Sequence, residues 1–462
     1  MKKLLFYPFF IAIFSAVFVV NSNAGTFYGW GNNIDNQCGQ IGVSHSNVPL
    51  QADYDNIWTK LSAGKNYALG LKSDGSLWAW GLNLYGQLGF GNTNPYDTPT
   101  KLSGATNWID VSTKFDHTLG IRSNKTLWAW GNNENGQLGD GGSTMRRLPY
   151  AIGYDMDWEQ VFAGQGFSYA IKENGTLWAW GDNWSYQLGL PDRADRNVPT
   201  QVGNANDWLT IATGDYHVLG LKKDGSLWVW GGNSYGELGI GEIEPVAVPR
   251  LLSNDEWVSI AAGAYHSLAV NIDGTLWAWG YNYYGQLGTG DEEDKLAPTK
   301  IGNDTNWAKV FAGKDFSFAI KKDGSLWAWG LNEDGQLGLG DNENRNTPQR
   351  INLFSDWVMV SGGDAFAIAL RGPILGIDNS ILASSVNFAP NPASDFLNIT
   401  SQTELGTCTI QIFDYLGQLV YSETANIGNA HSCDITKLPV STYYLIITSQ
   451  NGFSYRETFV KR

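Results

Sequence analysis

The chain has few of the residues on which chemistry is usually built. Its 462 residues include only 3 cysteines and 5 histidines. The cysteines match no metal-binding spacing, and there is no Ser-His-Asp set, nucleophile elbow or His-Glu-x-x-His run. No catalytic residues, no cofactor and no metal site are therefore expected. Basic residues are also scarce, 30 Lys and Arg against 45 Asp and Glu. The resulting net charge of −15 argues against nucleic acid, whose phosphates require a basic face. A helical hydrophobic period is missing throughout. Long apolar runs are missing too, except at the N-terminus, so no permanent membrane span is expected.

That exception reads as a signal peptide over 1–24. Lys2 and Lys3 precede the apolar run Leu4 to Val20, and Ser22 and Ala24 stand at the small-residue positions before a cleavage point. A retained anchor is the alternative, although the run is marginal for a span. No cysteine follows Ala24, which argues against lipidation there.

What the chain has in abundance is glycine, 55 residues, and tryptophan, 21 residues, and both are periodic. The phrase "LWAWGNNENGQLGDG" begins at Leu127. Close copies begin at Leu77, Leu177, Leu227, Leu276 and Leu326, and a shorter form, "FYGWGNNIDNQCGQ", begins at Phe27. The second Trp of the phrase recurs at Trp30, Trp80, Trp130, Trp180, Trp230, Trp279 and Trp329, at intervals of 50 or 49 residues. A second landmark, as in "NWAKVFAGKDFSFAI", keeps the same beat at Trp58, Trp108, Trp158, Trp208, Trp257, Trp307 and Trp357. A fixed period near 50 marks a propeller or solenoid.

Within 307–350 the signals are those of strands. "WAKVFA" alternates, "FSFAI" alternates after a glycine, "KKDG" is a hairpin turn, "SLWAWG" is a third strand, and "TPQRI" suggests a short fourth strand starting at Pro348. Four antiparallel strands per unit make a propeller blade. The two ends are complementary halves. The last "DWVMVSGGDAFAIAL" has no "LWAWG" after it, and the first phrase has no landmark before it. Strands A and B of a closing blade are thus expected from 356–371, and C and D from 25–50. Pairing the ends removes free edges and gives seven blades.

The repeated residues read as architecture. Alternation in "LWAWG" puts the two Trp on one face, and 20 of the 21 Trp hold repeat positions, Trp184 being the exception. "N..GQLG" is turn chemistry. His117, His217 and His266 share a slot with Tyr67, Phe167, Phe316 and Phe366, so the slot is expected to use a ring rather than a proton or a metal lone pair. "DEED" at 291–294 reads as a solvated acidic loop in preference to a calcium site. Cys38 replaces a repeat Leu and is expected to be a small buried group. A disulfide between Cys408 and Cys433 is left open.

These phrases resemble the repeats of the regulator of chromosome condensation family, over about 25–371. The resemblance implies a seven-bladed β-propeller. After Arg371 the repeat stops, and 372–385 looks like a linker. "NFAPNPASDFLNI", "IQIFDYLGQLVYSE", "DITKLPVSTYYLIITS" and "YRETFVKR" then alternate as strands and suggest a small C-terminal β-sandwich over 386–462. This set resembles the type A C-terminal sorting domain of the type IX secretion system, with Ser441-Thr442 replacing the usual Gly. It implies contact with that machinery and a mature propeller at or beyond the outer surface of a diderm bacterium. The fold class expected is all-β, a seven-bladed propeller closed by its N- and C-terminal strands, followed by the small sandwich.

Function is expected on the face where the repeats differ. The B–C turns are nearly identical ("SDGS", "ENGT", "KDGS", "IDGT") and read as scaffold. The A–B turns vary: Lys65-Asn66, Phe115-Asp116, Gln165-Gly166, Asp215-Tyr216, Ala264-Tyr265, Lys314-Asp315 and Asp364-Ala365. The C–D loops on the same side vary too. This face is expected to bind a protein, with Phe115, Tyr216 and Tyr265 as anchors. A glycan is the alternative partner. Nucleotide exchange on a small GTPase, the activity of the eukaryotic founder, does not suit an exported chain with evenly spaced repeats.

Overall fold

The computed structural model describes residues 25–53, 57–104, 106–352, 354–372, 386–390, 393–401, 406–413, 419–428, 430–449 and 454–462. The expected signal peptide and nearly all of the expected linker lie outside the described residues. Among those residues no helix is long and apolar enough to cross a membrane.

Seven four-stranded antiparallel sheets stand in succession. Blade 1 comprises A (Trp58–Ala63), B (Tyr67–Lys72), C (Leu77–Gly81) and D (Tyr96–Lys101). Blades 2 to 6 repeat that order, their A strands opening at Trp108, Trp158, Trp208, Trp257 and Trp307. Blade 7 is composite. Its A and B strands are Trp357–Gly362 and Phe366–Arg371, and its C and D strands are Thr26–Asn32 and His45–Gln51. Thr26 pairs with Arg371 and Gly31 with Phe366, so the chain closes on itself as the unmatched ends required.

The fourth strand departs from expectation. In blade 6 it runs from Arg345 to Arg350, beginning before Pro348 rather than at it. Gly330 pairs with Arg345 and Ala328 with Gln349, with a shift of register between them. A proline has no N–H to give the ladder, so the outer strand bulges past it, which an edge strand tolerates.

The cores lie between blades. Each cluster joins the "LWAWG" strand of one blade to the A strand of the next, as where Leu127, Ala129, Trp158, Val161 and Trp180 pack together. The second Trp of every phrase is 0 % exposed. In six of the seven its indole N–H ties it to the preceding blade, as where Trp80 donates to Gln37 O at 2.9 Å, Trp180 to Gln137 O at 2.8 Å and Trp329 to Gln286 O at 2.9 Å. The Trp130 indole N–H is the exception and makes no such bond. Burial of each ring removes ~150–250 Å² from water. The first Trp is half-buried and lies edge-on to the A-strand Trp, as in Trp108–Trp128. At the B–C end of every blade but the fifth, where Asn271 stands, the paired rings hold a cation, as where Lys72 lies 4.6 Å from the Trp58 ring and 4.2 Å from that of Trp78.

The histidine slot proves richer than its ring. His117, His217 and His266 are buried, and each meets a hydroxyl on the next blade through Nε2: Ser168 at 2.9 Å, Ser267 at 3.0 Å and Ser317 at 2.9 Å. Each serine spends its one proton on the carbonyl of residue 137, 237 or 286 at 2.7 Å. The imidazole must therefore donate through Nε2, and burial, which lowers all three histidines, keeps the ring neutral with its proton on that nitrogen. Tyr67 in the same slot donates its hydroxyl to His117 O at 2.6 Å and lies 3.3 Å from Thr118 Oγ1. Where the slot holds Phe, the facing residue is apolar: Phe167 clusters with Val218, Phe316 with Ala367 and Phe366 with Ala68. Polar faces polar and apolar faces apolar around the whole ring.

The C-terminal strands form two sheets, one of three strands (Val386–Ala389, Phe396–Ser401, Ala430–Asp434) and one of four (Gly406–Phe413, Leu419–Ile427, Ser441–Ser449, Ser454–Lys461). Leu397 and Ile399 from the first share a buried cluster with Ile410, Ile412, Leu445 and Ile447 from the second. Cys408 and Cys433 belong to that cluster and are not joined by a disulfide. Cys38 is buried against Phe27 and Trp80.

Candidate functional site

The A–B turns of all seven blades gather at one end of the ring axis, around a central cavity of about 230 Å³. Its lining includes Lys65, Lys114, Phe115, Asp215, Lys314 and Asp364. Backbone bonds link successive turns into a belt. Asp215 N donates to Ala264 O, Ala264 N to Lys314 O, Lys314 N to Gly363 O, Asp364 N to Lys65 O and Lys65 N to Phe115 O, at 2.8–3.3 Å. Between blades 2 and 4 side chains take over. Lys114 reaches across to Thr213 O and lies 4.0 Å from Asp215, while Thr213 Oγ1 donates to Ala163 O at 2.7 Å. Phe115, beside Lys114, takes φ 54°, a strained value for a bulky residue.

Charge is concentrated in this ring. Lys314 lies 4.0 Å from Asp364. Burial raises the carboxyls of Asp116, Asp215 and Asp364 above their usual range. Burial, with Asp215 and Asp364 nearby, lifts Asp315 to about 6 against the opposing pull of Lys314. Burial pulls Lys114 down, and Asp215 and Asp364 partly restore it. Gln165 and Asn66 complete the rim, with Asn66 Nδ2 donating to Asp35 of blade 7 at 3.0 Å.

The three expected anchors do not form one patch. Tyr216 and Tyr265 stack with centroids 6.0 Å apart. Phe115 sits apart under the Lys65 ammonium, 4.7 Å from its ring centroid. Tyr216 and Tyr265 belong instead to a larger array that the A–B turns alone do not reveal. Tyr235, from the C–D loop of blade 4, lies 5.2 Å from Tyr265 and 4.8 Å from Tyr281. Tyr283 and Tyr284 continue the array, 5.0 Å from each other. On blade 3 Trp184 and Tyr186 flank Arg193. Trp184 is 70 % exposed, Tyr283 64 % and Tyr235 39 %.

The array is confined to blades 3–5. The residue matching Trp184 and Tyr283 is Leu84 in blade 1, Glu134 in blade 2, Ser234 in blade 4, Glu333 in blade 6 and Ile34 in blade 7, so an aromatic ring stands there only in blades 3 and 5, although Leu84 and Ile34 are also exposed. Beneath it, blade 4 carries Glu237 where the other copies carry Gln. That carboxylate is buried, accepts Tyr235 N at 2.7 Å, and is raised by burial. The signal was present in the sequence as the one tryptophan off the repeat and the tyrosines of "GYNYYG". The acidic "DEED" loop serves its own turn, with Asp291 paired to Lys295 at 2.9 Å.

Residues 11–308 match a family model described as the RCC1-like domain, and 307–336 and 323–370 match regulator of chromosome condensation repeats. Residues 387–462 match the secretion system C-terminal sorting domain. No curated protein matches significantly. Among solved structures, human WBSCR16 is similar at 23 % identity and TM-score 0.69, over 76 % of this chain and 100 % of that one. Prp20p of Saccharomyces cerevisiae, whose structure was described with its binding to Gsp1p and histones, is similar at 23 % identity and TM-score 0.69, over 78 % of this chain and 94 % of that one. The same yeast protein bound to Kap60 is similar at 21 % identity and TM-score 0.68, over 79 % and 93 %. These likenesses show the fold. The sorting tail marks the protein as secreted or held at the cell surface. The chain belongs to the RCC1-like domain family.

Proposed function

We propose that the mature propeller is a non-catalytic binding module that holds a protein partner on its A–B and C–D face, anchored by the aromatic array of blades 3–5. The observation that carries this reading is a break in symmetry. Packing, caps and closing bonds repeat around the ring because architecture repeats. The array does not repeat, and nothing in the blade core requires it. Exposed Tyr and Trp beside an Arg are the usual anchors of protein interfaces. The solved structures named above include propellers of this fold in which the recorded partners are proteins, Gsp1p, histones and Kap60. A glycan is the second reading, favoured by the exposed Trp184 and Tyr283 rings, which suit stacking on sugars.

Tyr235→Ala with Tyr283→Ala is expected to weaken partner binding by more than ~2 kcal/mol and to leave the melting temperature unchanged, because both rings are exposed. Lys223→Ala with Lys322→Ala, exposed on B–C turns, is expected to have no effect. Crosslinking of the purified propeller to extracellular proteins, followed by titration with the identified partner, measures both. Loss confined to the B–C variant places the site on the opposite face. A glycan array that retains the parent but not the tyrosine variant decides for the second reading.

A further inference from the structure

One acid in the C-terminal tail stands where an apolar residue belongs. In strand Leu419–Ile427, Ser422, Thr424 and Asn426 are exposed, while Ala425 and Tyr421 pack against the tail core and Ile427 is buried in it. Glu423 occupies the same inward row. Strand Ala430–Asp434 faces it with His431 and Cys433, while Ser432 and Asp434 point outward. Two residues apart on a strand means one face, so an imidazole and a thiol converge on this carboxylate.

The contacts are direct. His431 Nε2 meets Glu423 Oε1, and Cys433 Sγ lies 3.6 Å from the same oxygen. All three ligating atoms lie within 4.8 Å of one another. The Tyr421 hydroxyl also bonds the carboxylate. Cys433 is 0 % exposed, whereas the side chains of His431 and Glu423 are 23 % and 31 % exposed. The cluster is thus closed at its sulfur and open to solvent at its nitrogen and oxygen.

We propose that Glu423, His431 and Cys433 form a Zn²⁺ site, with water as the fourth ligand. A thiolate, an imidazole and a carboxylate are the ligand types that Zn²⁺ takes, at about 2.0–2.3 Å each, in a tetrahedron whose ligand atoms stand about 3.5 Å apart. The three atoms already lie within 4.8 Å of one another, so small side-chain shifts would gather them on one ion. Harder cations such as Ca²⁺ and Mg²⁺ take oxygen alone and would leave the thiol and imidazole unused. Binding releases the thiol proton to solvent, with no redox change. The two ligand strands belong to different sheets, so the ion would clasp one sheet to the other, where Cys408 and Cys433 form no disulfide.

Equilibrium dialysis of the mature chain against ZnCl₂, and titration with CoCl₂ followed by absorption, test this. One Zn²⁺ per chain is expected, together with a sulfur-to-cobalt charge-transfer band. Cys433→Ser abolishes the band and Cys408→Ser keeps it. Glu423→Gln, which preserves shape, and His431→Gln, which removes the imidazole, weaken Zn²⁺ binding at least about tenfold, the loss that even an outer-shell partner brings. The proposal is overturned if the parent chain takes up no more Zn²⁺ than Cys433→Ser, or if the charge-transfer band survives in Cys433→Ser. Equal Zn²⁺ affinity in the parent, Glu423→Gln and His431→Gln overturns it as well.

Discussion

Deleting residues 25–50 from the mature chain is expected to abolish the cooperative native state rather than trim it. The deletion removes two strands of blade 7 and with them Phe27, Tyr28 and Trp30, all buried. At ~25 cal/mol per Å² and ~200 Å² per ring, these three alone represent about 15 kcal/mol of gross burial. Whole domains are stable by only about 5–15 kcal/mol. The deletion also bares strand Phe366–Arg371, whose partner is Thr26–Asn32, and an unpaired hydrophobic edge invites aggregation. Loss of Trp30 further strips the preceding blade of the indole that donates to Gln336 O at 2.9 Å. Thermal unfolding followed by near-ultraviolet circular dichroism measures the effect. A cooperative melt near the temperature of the intact chain refutes closure by the two ends.

Acid is expected to weaken the propeller through its buried histidines. An unfolded imidazole titrates near ~6.5. Burial lowers His117 and His266 to about 3, and lowers His217 well below its usual range. The folded pKa is the depressed one, so the neutral rings contribute fully above pH ~6.5, and that contribution is lost as pH falls toward 3 and the unfolded chain alone takes up protons. Each histidine contributes up to ~1.4 kcal/mol per pH unit, so three lower stability by about 3–4 kcal/mol between pH 6 and 5. The raised carboxyls of Asp315 and its neighbours act in the opposite sense. The histidine effect is therefore read as a difference between proteins. Blade 6 supplies the replacement, since Phe316 faces Ala367 there. His266→Phe with Ser317→Ala copies that pair and leaves Gln286 O bonded to Trp329. Denaturant unfolding from pH 7 to 4.5 should show this variant gaining on the parent by about 1 kcal/mol per pH unit below 6. Parallel profiles contradict the assignment.

Legibility in the sequence followed periodicity. The tryptophans and the four-strand unit were readable because the repeat states them around the whole ring, and the composite blade because the unmatched halves at the two ends name their own partner. The histidine pairing was not readable from one unit. His117 and Ser168 are brought together only by the packing of neighbouring blades, and the pattern appears once each slot residue is compared with its facing residue. The geometry of the A–B turns was only partly readable: Tyr216 and Tyr265 stand on neighbouring turns and stack, whereas Phe115 lies beneath Lys65, which its place in the repeat does not reveal. Tyr235, Tyr281 and Tyr283 stand on C–D loops, and the meeting of Tyr235 with Tyr265 and Tyr281 across a blade boundary depends on packing that one repeat does not state. Glu423, His431 and Cys433 were hidden for a related reason: His431 and Cys433 lie eight and ten residues from Glu423, on a strand of the other sheet, and only the packing of the tail brings them face to face.

Binding of an extracellular partner requires the propeller to reach the outside of the cell. Fractionation of the source bacterium, blotted with separate antibodies to the propeller and to residues 386–462, tests this directly. The expected result is propeller in the medium or at the outer surface, and its confinement to the periplasm on deletion of residues 386–462. A full-length chain in which the propeller stays periplasmic would contradict export and leave the aromatic face without an extracellular role.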